Sequence, residues 1–143
     1  MLTVVLWTVF EDQLFTKENA KELVEEQNIS LQDNFELKEN KSMSAIGDFY
    51  HTFTLKLSER DRQNAIITIK SADNFKADKS IDQMLYLSDK RYFGPEVTQN
   101  YETENAYVSE YFQPSGREGC APTFRRISIS KTRNELTFED IDE

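Results

Sequence analysis

Between Asp48 and Lys70 the apolar spacing of this chain changes from every second residue to every third, and the change falls on a single serine. Phe49, His51, Phe53, Leu55 and Leu57 alternate with Tyr50, Thr52, Thr54 and Lys56, the two-residue repeat of a strand with one apolar face. Ser58 then offers a side-chain oxygen to cap a helix. Asp61 follows at the third helical position, and Ile66 and Ile69 continue at three-residue spacing. A strand that runs straight into a helix requires a packed domain holding both. It fixes a fold class, not a chemistry.

The rest of the chain supplies partners for these two elements. Thr16 caps a predicted helix over about Lys17–Gln27, with Ala20, Leu23, Val24 and Gln27 on one side. Glu18, Glu22, Glu25 and Glu26 face water, and Asn28 fits a helix stop. Phe35 and Leu37 predict a strand that pairs with 49–57 across a polar loop around Glu39–Ser44. The second helix is expected over about Glu59–Ser71, and Ser71–Ser80 reads as a loop. Ile81, Met84, Leu85 and Leu87 fit a short helix or a strand equally, and Gly94-Pro95 marks a turn. Asn105–Phe112 is aromatic and β-prone, and Pro114–Pro122 is a turn-rich loop. Phe124–Lys131 and Glu135–Ile141 predict a hairpin that sets Ile127 and Ile129 against Leu136 and Phe138. The expected architecture is α+β, an antiparallel β-sheet of about five to six strands with two main helices packed on one face.

Residues 1–10 are uncharged and apolar, then stop at Glu11-Asp12. A membrane span needs about 20 such residues, and a secretory signal wants a basic start and a small-residue cleavage site. Two readings stand. One is a buried strand, favoured because short apolar runs are usually core elements. The other is the remnant of a membrane anchor, through which alone a membrane would be a partner. Residues 11–143 are expected to form a single α+β domain in either case, in the cytoplasm or at the cell envelope.

At 143 residues the chain has the usual size of one domain. A quarter of it is Leu, Ile, Val or Phe, above the roughly 20% below which chains stay disordered. The net charge of −9 is unevenly spread: residues 11–48 carry −6, and the last ten carry −5. Residues 117–133 reverse the sign to +4, with Arg117, Arg125, Arg126, Lys131 and Arg133 against Glu118. An acidic field repels phosphate backbones, so nucleic acid is not an expected partner. The basic segment is expected to pair with the acidic tail across the terminal hairpin.

Candidate chemical groups are few. Cys120 is the single cysteine, so neither an intrachain disulfide nor a cysteine zinc cluster can form. His51 is the single histidine and sits in the apolar row of its strand. Imidazole ordinarily titrates near about 6.5, but a base needs a partner, and the expectation is a half-buried histidine bonded to backbone or a tyrosine. A Cys120–His51 nucleophile is the enzymatic alternative, with no cysteine-enzyme signature around the thiol. Neighbouring acids such as Glu25-Glu26 and Glu139-Asp140 point in different directions, so no metal site is expected. With four glycines and no phosphate-cradling loop, no cofactor is expected either. Asn28-Ile-Ser30 and Asn40-Lys-Ser42 match the short glycosylation pattern.

Five of the six tyrosines lie between Tyr86 and Tyr111. In Tyr107-Val-Ser-Glu-Tyr111 the tyrosines share one strand face with Ser109, and neither face is plainly apolar. Tyrosine and arginine are favoured at recognition surfaces, so the expected binding residues are Tyr107, Tyr111, Arg125 and Arg126. These readings favour a non-enzymatic binding or structural domain with a protein partner, one that a membrane anchor would tether. The alternative is an acidic inhibitor of the immunity type, masking a basic active site by electrostatic steering.

Overall fold

The computed structural model describes residues 15–45, 48–77 and 92–142. The apolar segment 1–10 and the stretch 81–87 lie outside them. Two helices are described, α1 (Lys17–Glu25) and α2 (Glu59–Lys70). The strands are β1 (Glu36–Ala45), β2 (Asp48–Lys56), β3 (Phe75–Lys76), β4 (Val97–Glu102), β5 (Ala106–Gln113), β6 (Thr123–Ser130) and β7 (Glu135–Asp142). They form one seven-stranded sheet in the order β1-β2-β7-β6-β5-β4-β3.

The α+β class holds, but the sheet is larger than the five to six antiparallel strands expected, and it is mixed. β3 pairs with β4 in parallel, while every other neighbouring pair is antiparallel. Three local facts explain the difference. The predicted loop around Glu39–Ser44 is strand, because Glu39–Ser44 pair with Phe49–Thr54 and the pairing continues to Ala45 opposite Asp48. β4 separates its apolar residues, Val97 and Tyr101, by Thr98, Gln99 and Asn100, so no two-residue apolar repeat announces it. β3 is two residues long, too short to show any period.

Both helices begin as the caps predict. Asn19 N–H donates to Thr16 Oγ1 at 3.2 Å, and Thr16 N–H donates back to Asn19 Oδ1 at 3.1 Å, a reciprocal capping box. Asp61 N–H donates to Ser58 Oγ at 3.1 Å. α1 ends two residues before the predicted limit, in a turn whose Asn28 takes the left-handed conformation (φ 68°).

The core lies between the helices and one face of the sheet. Register places Phe53 and Leu55 of β2, Leu136 and Phe138 of β7, and Ile127 and Ile129 of β6 on that face. All are fully buried and pack with Ala20 and Val24 of α1 and Ala65 and Ile69 of α2. The Phe53 and Phe138 rings stack with centroids 4.7 Å apart. The hairpin pairing expected from sequence is present, with Ile127 opposite Phe138 and Ile129 opposite Leu136. Because β2 lies beside β7, the described part of the sheet joins its opening hairpin, β1-β2, to its last strand. Burying each large apolar side chain contributes roughly 1.5–3 kcal/mol, so this cluster is the main support of the fold.

The basic segment does pair with the acidic tail. Arg125 Nε lies 3.7 Å from Asp140 Oδ2, Arg126 Nη1 lies 3.6 Å from Glu139 Oε1, and Arg133 Nη1 lies 3.9 Å from Glu135 Oε2.

Candidate functional site

The helix-bearing face is apolar at its centre and polar toward one end. One line of cross-strand partners runs Asn40, Phe53, Phe138, Ile127, Ser109 and Asn100, through the core. The parallel line two residues away runs Ser42, His51, Asp140, Arg125, Tyr111 and Thr98. At this second line the sheet face changes from grease to hydrogen-bonding and charged groups.

Arg125 is the hub. Its Nη1 donates to Glu26 Oε2 at 2.5 Å, tying the end of α1 to the sheet, while Nε faces Asp140. Asp140 and Asp142 project from the same face of β7, with their carboxyl groups within reach of one another. Burial first, and then the Asp142 charge, pushes the Asp140 carboxyl up to about 6, against the pull of Arg125 and His51. Burial also raises Asp142. Arg125 Nε, Asp140 Oδ1 and Asp142 Oδ1 are all buried without a hydrogen-bond partner, a costly state for charged groups.

Beside Arg125, the polar line opens into a cleft. Its larger compartment, about 600 Å³, is bounded by residues following α1, by residues following α2, and by β4 and β5. A smaller compartment of about 440 Å³ shares Glu26, Gln27, Glu96 and Tyr111 with it and adds Arg125. The carboxylates of Glu26, Asp73 and Glu96 line the larger compartment, and no Lys, Arg or His stands among its described lining residues. Tyr111 is raised above its ordinary value by burial and by its hydrogen bond to the Glu96 carboxylate. Gln27 Nε2 donates to Ser109 O at 3.3 Å and Asn74 Nδ2 to Thr98 Oγ1 at 3.0 Å, which leaves Gln27 Oε1 and Asn74 Oδ1 buried and unpartnered.

The four expected binding residues do not form one patch. Tyr111 and Arg125 are cross-strand partners at the cleft. Tyr107 shares their face but lies at the far side of Ser109, its ring contacted by the Lys70 and Lys131 ammonium groups at 5.6 and 5.2 Å. Arg126 projects from the opposite face, where its Nη2 donates to Glu110 Oε2 at 3.2 Å and Glu139 flanks it. Glu110 is 1% exposed, and Gln99 Nε2 also donates to it at 3.2 Å. Burial works against the Arg126 charge, but Glu110, Tyr101 and Glu139 outweigh it and raise the guanidinium further. That group is a structural tie rather than a free hand.

His51 is half-buried, as expected, but its partner differs. Nε2 lies 2.6 Å from Asn40 Oδ1 on the next strand, and Phe15 meets the ring edge-on at 4.7 Å. The Asn40 side-chain oxygen is thereby engaged on β1, and Asn28 is exposed. Cys120 is exposed in the β5–β6 loop, with β6 and β7 standing between that loop and β2 in sheet order. Among the described residues no group of three His, Cys, Asp or Glu is placed to hold a metal ion.

Comparison with known proteins returns no match to a family model, to a curated protein or to a solved structure.

Sequence reasoning missed Asp140 with Asp142, and Glu26 with Asp73 and Glu96. The first pair was visible as two-residue spacing in a strand. The second set is assembled from three separate loops, and only the acidic last turn of α1 hinted at it.

Proposed function

We propose that this chain is a non-enzymatic binding domain that acts by contact with a protein partner. The observation that carries the reading is the cleft where Tyr111 meets the ends of both helices and Arg125 meets the end of α1. It combines a rigid aromatic group with a polar handle, an arginine, and concave polar surface, the composition favoured at recognition sites. His51 serves structure in this reading, and Cys120 is an incidental loop residue. Membrane attachment would come from the N-terminal segment, since no helix among the described residues is long and apolar enough to cross a membrane.

The test compares capture of protein partners by the wild-type chain, Tyr111→Ser and Tyr107→Ser. Tyr111→Ser is expected to lose at least one partner while circular dichroism shows an intact fold, and Tyr107→Ser to keep it. Equal capture by all three chains would remove the cleft from consideration.

A second reading, the acidic inhibitor, is favoured by the carboxylates along the same cleft and by the net charge of −9. Steered association of that kind weakens steeply with salt. Partner capture that is indifferent to ionic strength would count against it.

A further inference from the structure

We propose that Asp140 and Asp142 hold one proton between them and act as an acid-dependent latch that keeps the end of β7 joined to β2. The latch does not depend on the binding reading above, because it works without a partner.

Register sets up the pair. Asp140 and Asp142 are two residues apart on β7, so both carboxyl groups project from the helix-bearing face. They stand close enough for a direct hydrogen bond. A carboxylate only accepts, so two of them make that bond only when one carries a proton. Their neighbours do not supply the donor instead. Oδ1 of each aspartate is buried without a hydrogen-bond partner, and so is Arg125 Nε. That nitrogen lies 3.7 Å from Asp140 Oδ2, beyond hydrogen-bond range, while Nη1 of the same guanidinium donates to Glu26.

The groups that face the pair come from three strands and one helix end. β2 places His51 opposite Asp140 and Phe49 opposite Asp142. β6 places Arg125 opposite Asp140, and beyond it β5 places Tyr111, hydrogen-bonded to Glu96. The end of α1 reaches the cluster through Glu26 on Arg125. Among the described residues Arg125 and His51 favour the ionised Asp140, but burial and the Asp142 charge outweigh them.

Register also decides what gives way. Asp140 is flanked by β2 and β6, whereas Asp142 pairs with Phe49 alone, since the β6 ladder ends at Ile141. Below about 6 the shared proton bridges the two carboxyl groups, and the pair carries one negative charge. As pH rises through that value the proton passes to water. Two negative charges then face each other in a buried site, and one guanidinium is divided between them and Glu26. Moving Asp142 into solvent relieves the repulsion and gives up a single pairing at the strand end. The joint is therefore closed in acid and loosened near neutrality, the sign required of a carboxyl raised above its ordinary value.

The test follows the full chain by NMR. The first measurement needs no variant: the Asp140 and Asp142 carboxyl carbons are expected to share a titration step near 6. Completion of both titrations around the ordinary 3.8 would overturn the shared proton. The second measurement is hydrogen exchange at residues 49–51 and 140–142, referred to Phe53 and Phe138 at the centre of the same two strands. From about pH 5 to about pH 7.5 the end amides are expected to lose about tenfold in protection relative to the central pair. Asp142→Asn puts a permanent amide donor where the proton sits, and should keep the ratio within about twofold. A constant ratio in the wild type, or an equal fall in Asp142→Asn, would overturn the latch. Imidazole ordinarily titrates near about 6.5, so His51→Gln separates the two sources. A fall that persists in His51→Gln supports the pair. A fall that vanishes in His51→Gln and persists in Asp142→Asn would assign the switch to His51 and overturn the proposal.

Discussion

The two helices of this domain start at one end of their layer and finish at the other, and the two ends treat carboxylates in opposite ways. At the starting end, Lys17 of α1 and Ser58 before α2 line a common hollow, and every acid has a purpose. Glu18, Glu59 and Asp61 lie in first turns, where the helix dipole favours them. Asp61 is fully buried, yet Oδ1 accepts Gln32 N–H at 3.0 Å and Oδ2 accepts Asp33 N–H at 2.9 Å. Asp33 in turn accepts from Ser58 Oγ at 2.6 Å and from Arg60, and these bonds hold it below its usual range. At the finishing end, Glu25 and Glu26 oppose the dipole, Asp140 and Asp142 crowd each other, and buried acceptors stand unpartnered. One end is optimised for stability. The other keeps a conflict that natural chains usually retain where they bind something.

The largest expected effect tests the satisfied end. Asp61→Ala strands two backbone N–H donors in the interior and removes an acid from the first turn of α2. A loss of about 3 kcal/mol is expected from charge-assisted bonds of this kind, read as a lower midpoint in urea unfolding. Asp61→Asn, which keeps one acceptor, should recover part of it. A loss below about 0.5 kcal/mol would mean that the loop from Ile29 to Asn34 is held by its apolar contacts alone.

The next effect comes from pH and has opposite signs at the two ends. Asp33 is held below its ordinary value of 3.8, so its contribution is present above that pH and is lost as acid protonates the native carboxylate. Asp140 is raised from 3.8 to about 6, so the native state binds the extra proton between those values. Its contribution is therefore greatest below the unfolded value and is lost as pH rises to about 6. Asp140→Asn should flatten stability over that window and gain about 2 kcal/mol at pH 7.5, the scale of a shift of this size. A variant that is less stable than wild type at pH 7.5 would show that the Arg125 contact outweighs the crowding.

How much of this was legible in the sequence follows the same division. The starting end could be read directly, because caps and first-turn acids are local: Thr16, Ser58 and Asp61 announce themselves within four residues of the helices they serve. The central core could be read from the alternation in β2 and from the terminal hairpin. β4 could not, since Thr98, Gln99 and Asn100 pair with β5 without any apolar repeat. The β1 extension was hidden for the same reason, as Lys41 and Ser42 find partners in β2 rather than in a loop. The candidate site was the least legible part. Glu26, Asp73, Glu96 and Arg125 come from four distant segments, and only a sheet that runs β7-β6-β5-β4 brings them together. Tyr111 and Arg125 were singled out one by one, but their adjacency is a property of register.

The smallest effect is the most direct comparison of the two ends, because it uses one helix and one charge reversal. Glu18 lies in the first turn of α1 and Glu25 is its last residue, and both are exposed. Burial therefore hardly distinguishes them, and position along the dipole does. Glu18→Lys places a positive charge at the positive end of the helix and is expected to lose about 0.5 kcal/mol. Glu25→Lys places the same charge at the negative end and is expected to gain about 0.5 kcal/mol, with both effects shrinking as salt is raised. The stabilised variant should at the same time capture less of a protein partner that the Tyr111→Ser chain also loses, since the reversed charge stands next to Glu26 at the rim of the cleft. A gain in stability joined to a loss of binding would identify the acidic last turn as a feature kept for recognition at the expense of the helix. A gain in stability with binding unchanged would leave the conflict at the finishing end without a purpose in this cleft.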